Sequence, residues 1–185
     1  MQGFKILRKL LIVTVVAVTA SVSASAQKRG DMAVGGNLEM GTGSSLTNAG
    51  IGAEFQYNII NPVRLEGSLT CFFPKKRRVS DSSKSYFSIW DAGVNGHYLF
   101  HLNSRLTVYP LAGAGLLITK NSIKADGEWE RRGSSAVTSE FGLNLGGGAD
   151  YNLTKRLFLN AEVKYRIGNL WSRLLVSAGV AYRFN

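Results

Sequence analysis

The chain is poor in the residues that staple, kink or ligate. Cys71 is its single cysteine, so no internal disulfide forms and the fold needs no oxidative cross-link. There are three prolines, Pro62, Pro74 and Pro110, and two histidines, His97 and His101. Charged residues make up only 18% of the chain. Beyond residue 30 no run reaches the ~18 apolar residues that a spanning helix requires, and no helix former dominates. What the chain does hold is 21 glycines with many aromatic, Asn and Ser residues, a composition that suits many short strands in one domain.

The first 26 residues are of another kind. Lys5, Arg8 and Lys9 precede an apolar run from Leu10 to Val18, and Ala24-Ser25-Ala26 forms a small-x-small site before Gln27. This is the pattern of a secretory signal peptide. The apolar run is shorter than the ~20 residues of a spanning helix, which favours a cleaved signal over an anchor. Residues 27–185 then form the mature domain, with a formal charge of +7, the +10 of the whole chain less the three signal cations.

In the mature chain, period-two alternation recurs, and alternate residues of a strand face opposite sides. Leu157, Leu159, Ala161, Val163, Tyr165 and Ile167 share one face; Phe158, Asn160, Glu162, Lys164 and Arg166 share the other. Leu174, Val176, Ala178, Val180, Tyr182 and Phe184 repeat the pattern in a last strand. Earlier strands are predicted near 32–40, 49–57, 63–71, 87–100, 106–118 and 137–151. Pro62 opens a strand, Pro74 follows one, and Pro110 falls inside one, where a ladder needs its N–H. Its position predicts a bulge there or a different strand boundary.

Three short connections resemble one another: Tyr57-Asn58-Ile59, Phe100-His101-Leu102 and Tyr151-Asn152-Leu153 each lead into turn residues and a new strand. Longer polar connections alternate with them, near 41–48, 74–85 and 119–135, and a last one near Gly168 to Trp171 is short. Short turns at one end and long loops at the other mark an outer-membrane barrel.

Alternation alone leaves open which face is inside. The glycines decide it. Gly35, Gly50, Gly52, Gly93, Gly113, Gly115, Gly142, Gly146, Gly148 and Gly179 lie on the polar face, and only Gly36, Gly67, Gly96 and Gly147 on the apolar one. A water-facing surface needs no such thinning, whereas the lumen of an eight-stranded barrel is barely wide enough for side chains. The aromatics Tyr57, Phe100, Tyr151, Tyr182 and Phe184 gather on the apolar face at the short-turn end, as rings at a membrane interface do. The expected fold is therefore all-β: an eight-stranded antiparallel up-and-down transmembrane β-barrel.

The chain stops within a strand, Val180-Ala181-Tyr182-Arg183-Phe184-Asn185. This resembles the C-terminal strand of outer-membrane barrel families, which usually ends on the aromatic itself. Together with the strand number and turn pattern over residues 30–185, the chain is similar to the small OmpA/OmpX-type barrels of Gram-negative bacteria. The resemblance implies the outer membrane as location, recognition of the last strand by the outer-membrane assembly machinery, and a monomer. No second domain is expected after the last strand.

The inward face carries Glu39, Glu54, Arg64, Glu66, Asp91, His97, Glu140, Asp150, Glu162, Lys164, Arg166 and Arg183. Buried charges must be paired, so a network filling the lumen is expected, with Glu39, Glu162 and Lys164 near mid-depth and Glu54, Arg64, Glu66 and Arg183 nearer the short turns. A narrow channel is the alternative. Some small outer-membrane barrels modify lipids with a Ser and a His near the outer rim. Here no nucleophile–base pair is visible, since His101 lies in a short turn and His97 is far along the strand from Asp91. Gly146-Gly147-Gly148 is followed by no helix and no Lys-Ser/Thr, so no nucleotide, metal or other cofactor site is expected.

The loops remain as interaction candidates. Lys75, Lys76, Arg77 and Arg78 form a basic run suited to outer-membrane lipid and the phosphates of lipopolysaccharide. Trp129 stands among charges in the other long loop, suited to adhesion or to interfacial anchoring. Nucleic acid is not an expected partner of a secreted protein.

Overall fold

A computed structural model describes residues 29–43, 46–80, 83–125, 135–168 and 172–184, and the side chains of these except 46, 75–87, 121–125 and 135–136. The predicted signal peptide and Trp129 lie outside the described residues, as do the side chains of Lys75, Lys76, Arg77 and Arg78.

Nine strand segments follow one another: β1 (Met32–Gly43), β2 (Leu46–Ile60), β3 (Val63–Ser80), β4 (Ser83–Tyr98), β5 (Phe100–His101), β6 (Leu106–Ala125), β7 (Ser135–Asn152), β8 (Leu157–Gly168) and β9 (Arg173–Phe184). Each pairs antiparallel with its sequence neighbour, except that β4 and β5 are two parts of one stave against β6. Pairing of β1 with β9, from Met32 opposite Phe184 to Thr42 opposite Leu174, closes the barrel. Nine segments thus make eight staves, and closure removes every free edge from the barrel wall.

Pro110 explains the split stave. It pairs with Gly147 of β7 in undisturbed register. On its other side the ladder skips Tyr98 and Leu99 and then resumes in the same register, with His97 opposite Leu111 and Phe100 opposite Val108. No residue is inserted, so there is no bulge at Pro110. A proline has no N–H to give, and the ladder opens locally. The bulge lies instead at Pro74, which is inside β3 rather than after it. The β3–β4 register shifts between Phe72 and Lys75, beyond the last pair with β2. An edge without a partner on one side tolerates proline.

Side chains alternate as period two demands. Along β8 every second residue from Phe158 to Arg166 is buried. Leu38, Val94, Leu143 and Val163 are at least half exposed on the outside, in a continuous apolar wall whose solvent is lipid. Tyr57, Tyr151, Tyr182 and Phe184 stand in this wall at the short-turn end, with Tyr98 and Phe100 packed ring to ring at 5.0 Å.

The glycines show how tight the lumen is. At each of the ten inward glycines named above, a Cβ would meet another atom at 3.0 Å or less. At Gly36, Gly67, Gly96 and Gly147 nothing lies nearer than 3.1 Å.

The extracellular connections depart from expectation. In the polar stretches 74–85 and 119–135, read as loops, the described residues are strand: β3 runs to Ser80, β4 starts at Ser83, β6 runs to Ala125 and β7 starts at Ser135. The physical reason is the change of solvent. Above the lipid both faces meet water, so hydrophobic alternation fades while backbone pairing continues.

Candidate functional site

Among the described residues, ionisable side chains converge in the lumen. Glu39, Glu54, Arg64, Glu66, Asp91, His97, Asp150, Glu162, Lys164 and Arg166 are all buried in it. They enter from β1, β2, β3, β4, β7 and β8, because the same alternation that turns leucines to lipid turns these residues inward.

Three carboxylates have a cation. Asp150 accepts from Arg64 Nη1 at 2.6 Å, Glu39 lies 3.4 Å from Lys164 Nζ, and Asp91 is gripped by both terminal nitrogens of Arg166. The other three are held mainly by neutral donors. Glu54 accepts from Asn37 Nδ2 at 2.9 Å, from Gln56 and from Asn160. Glu66 accepts from Gln56 Nε2 at 3.4 Å and Asn95 Nδ2 at 3.3 Å. Glu162 accepts from the Tyr109 hydroxyl at 2.9 Å.

The bonds link up across the barrel. Arg166 Nε donates to Asn144 Oδ1 at 2.7 Å, Asn144 donates to Asn95, and Asn95 donates to Glu66. Gln56 then bridges Glu66 to Glu54. Beside this chain, His97 stacks on Tyr109 with ring centroids 4.5 Å apart, and Arg64 lies over the same ring at 4.6 Å. The amides Asn37, Gln56, Asn95, Asn144 and Asn160 and the Tyr109 hydroxyl were missed as network members. Their signal was their place on the charged face.

Apolar residues close both ends of this polar zone. Phe72, Ile89 and Leu175 cluster with Leu117 toward the long hairpins, and Arg173 covers Phe72 at 4.9 Å. Ala33, Phe158 and Ala181 cluster toward the short turns, under Arg183 at 4.9 Å from the Phe158 ring. Arg183 donates to the Lys155 carbonyl at the lumen mouth, so it caps the bore. Glu140 is only half-buried, near the opposite rim.

Glu66, His97 and Glu162 offer three ligand atoms within 4.8 Å of one another, the spacing of a metal site. The hydrogen bonding does not fit one. Arg64 donates from Nε to His97 Nδ1 at 3.2 Å, and a guanidinium can only donate. The neutral ring must then carry its proton on Nε2, the atom that faces Glu66 and Glu162 at 3.9 and 3.8 Å. A metal would need that lone pair free and Nδ1–H donating outward.

Catalytic geometry is equally lacking among the described residues. His101 Nδ1 lies 2.8 Å from Thr107 Oγ1 at the short-turn end, and no carboxylate is bonded to the ring.

Lys75, Lys76, Arg77 and Arg78 fall in a part of β3 that rises above the barrel wall. The last β2–β3 pair is Gly50 with Phe72, and the last β7–β8 pair is Gly142 with Gly168. Beyond these levels β3, β4, β6 and β7 go on pairing with one another, to Ser80 opposite Ser83 and Ser122 opposite Ser135. The result is a four-stranded ribbon rising roughly 20–25 Å along its strands. Among the described residues it has two open edges, β3 from Phe73 and β7 before Gly142.

A family model for the outer membrane protein beta-barrel domain matches residues 11–184. No curated protein matches the chain by sequence. Among solved structures, the attachment invasion locus protein Ail of Yersinia pestis is similar at 18% identity and a TM-score of 0.57, covering 84% of this chain and 99% of Ail. Neisserial surface protein A is similar at 20% identity and 0.53, covering 83% and 96%. The N-terminal β-barrel domain of Pseudomonas aeruginosa OprF is similar at 16% identity and 0.52, covering 82% and 97%.

Proposed function

From the chain's membership of the outer membrane protein β-barrel domain family, and hence its place in the outer membrane, we propose a non-enzymatic surface-interaction protein whose working part is the projecting ribbon of β3, β4, β6 and β7. The observation that carries this reading is the pair of strand edges that, among the described residues, stay open above the closed barrel. An open edge presents unpaired N–H and C=O groups to an incoming partner. The run Lys75-Lys76-Arg77-Arg78 on one of these strands suits an anionic saccharide, such as the phosphorylated core of lipopolysaccharide or a sulfated polysaccharide. Ail has been crystallised with the heparin analogue sucrose octasulfate, which supports this ligand class. In this reading residues 1–26 are a cleaved signal, the host cell is Gram-negative, and β9 is the strand the assembly machinery recognises.

Replacing Lys75, Lys76, Arg77 and Arg78 by Gln should weaken sucrose octasulfate binding at least tenfold by calorimetry, with heat-modifiable gel migration retained. Unchanged affinity would remove the basic run from the site. Replacing residues 74–85 by a two-residue turn should in addition abolish adhesion of whole cells to sulfated surfaces.

The lumen in this reading is a structural plug. The network and its two apolar lids fill the bore, as is usual for eight strands. Planar-bilayer recording should show no stable conductance steps. Reproducible steps would favour the narrow channel instead.

A further inference from the structure

The short turns carry a feature that neither the plug nor the ribbon uses. They hold three exposed cations, Arg105, Lys155 and Arg156. Residues 59–62, 102–105 and 153–156 contain no carboxylate at all. The cations are also grouped. The Asn152 N–H donates to the Arg105 carbonyl at 2.7 Å, which sets the β5–β6 turn against the end of β7. The Arg183 N–H donates to the Arg156 carbonyl at 2.7 Å, which sets the β7–β8 turn against the end of β9. The β2–β3 turn, Ile59 to Pro62, carries no charge, so the basic arc occupies one side of this end of the barrel.

The arc is held in place rather than left to sway. Asn103 Oδ1 accepts from the N–H groups of Arg105 and Leu106, both at 2.8 Å. Thr154 Oγ1 does the same for Arg156 at 3.2 Å and Leu157 at 2.9 Å. Such side-chain-to-backbone bonds stiffen a turn. Arg156 Nη1 reaches the Tyr182 hydroxyl at 3.1 Å, at the level of the aromatic girdle. Each of the two turns also exposes one aliphatic residue, Leu102 and Leu153, beside its cations.

We propose that this arc binds the headgroup phosphates of anionic glycerophospholipids in the periplasmic leaflet. Short turns of an outer-membrane barrel lie on the periplasmic side. There the aliphatic side chains meet the acyl boundary while the cations reach the phosphates. The girdle tyrosine bonded to Arg156 places that guanidinium at headgroup depth. Each cation near an anionic leaflet contributes about fivefold in affinity, so three contribute on the order of a hundredfold before salt screening.

The test uses the mature protein in detergent micelles doped with equal phosphatidylglycerol and phosphatidylcholine, with retained lipid counted by native mass spectrometry. Wild type is expected to retain phosphatidylglycerol at least tenfold over phosphatidylcholine. Arg105→Gln/Lys155→Gln/Arg156→Gln is expected to lose that preference, and Arg105→Lys/Arg156→Lys to keep it. Free glycerol phosphate at millimolar concentration is expected not to displace the lipid; displacement would assign the arc to a soluble phosphate instead. A salt series on wild type needs no variant to fold, and a preference that survives molar salt overturns the proposal. Equal retention by wild type and the triple variant overturns it too, as does capture of a peptidoglycan fragment with no lipid preference.

Discussion

Arg166→Met should cost the barrel about 3–5 kcal/mol, read as a shift of the urea unfolding transition in short-chain phospholipid vesicles. Both terminal nitrogens of Arg166 hold Asp91, and its Nε holds Asn144 Oδ1. All three side chains are buried. Methionine fills similar space but donates nothing. Asp91 would stay in the lumen as a charge without a partner, and Asn144 would lose the bond that aims it at Asn95. The penalty is mostly that of the orphaned carboxylate, not the worth of the pair. Arg166→Met/Asp91→Leu should therefore recover most of the loss, since a well-packed apolar pair can replace a buried ion pair at little cost. A double variant as unstable as the single one would show that the remaining amide chain, not the charge, sets the penalty. Arg183→Met makes the contrast. Arg183 is only half-buried and covers Phe158 from the lumen mouth, so its loss should cost about 1 kcal/mol or less.

How far the sequence could be read differs from one feature to the next. β8 and β9 were legible in full, because both lie within the lipid, where one face meets acyl chains and the other a polar lumen. Alternation is strongest under that contrast. Above the membrane it vanishes, and β3 beyond Phe73 and β6 beyond Ile118 read as loops although their backbones pair. Proline misled in two directions. Pro74 looked like a terminator and sits at a bulge, while Pro110 looked like a bulge and sits in a register that never slips. Only the cross-strand pairing tells these apart, and pairing is not a local property. The charged residues of the lumen were visible as one face. Which charge meets which was not, because Arg166 and Asp91 are 75 residues apart and meet only across the closed bore. Asn95, Asn144 and Gln56 drew no notice because amides also suit loops. In the lumen Gln56 and Asn95 donate to carboxylates that lack a cation, and Asn144 holds Asn95 in place.

Two glycines on adjoining strands give the sharpest check on which face is inside, since the same substitution should have opposite consequences. Gly50 of β2 faces the lumen, and a Cβ there would lie 2.6 Å from the Cys71 carbonyl oxygen and 2.8 Å from Phe72 Cα. Both are backbone atoms of the paired strand β3 and cannot step aside as a flexible side chain would. Gly50→Leu should cost at least about 3 kcal/mol, the upper end of overpacking penalties, and leave much of the protein unfolded on a heat-modifiability gel. Gly67 of β3 faces outward with nothing within 4 Å of its missing Cβ. Gly67→Leu adds apolar surface to a wall already solvated by lipid and removes the extra chain entropy of glycine, so it should be neutral or stabilise by up to about 1 kcal/mol. An inside-out barrel, with an apolar bore and a polar wall, would reverse the order: leucine would be tolerated on the charged face and would overfill the apolar one. The sign of the difference between the two variants, rather than either value alone, therefore tests the placement of lipid outside and charge inside.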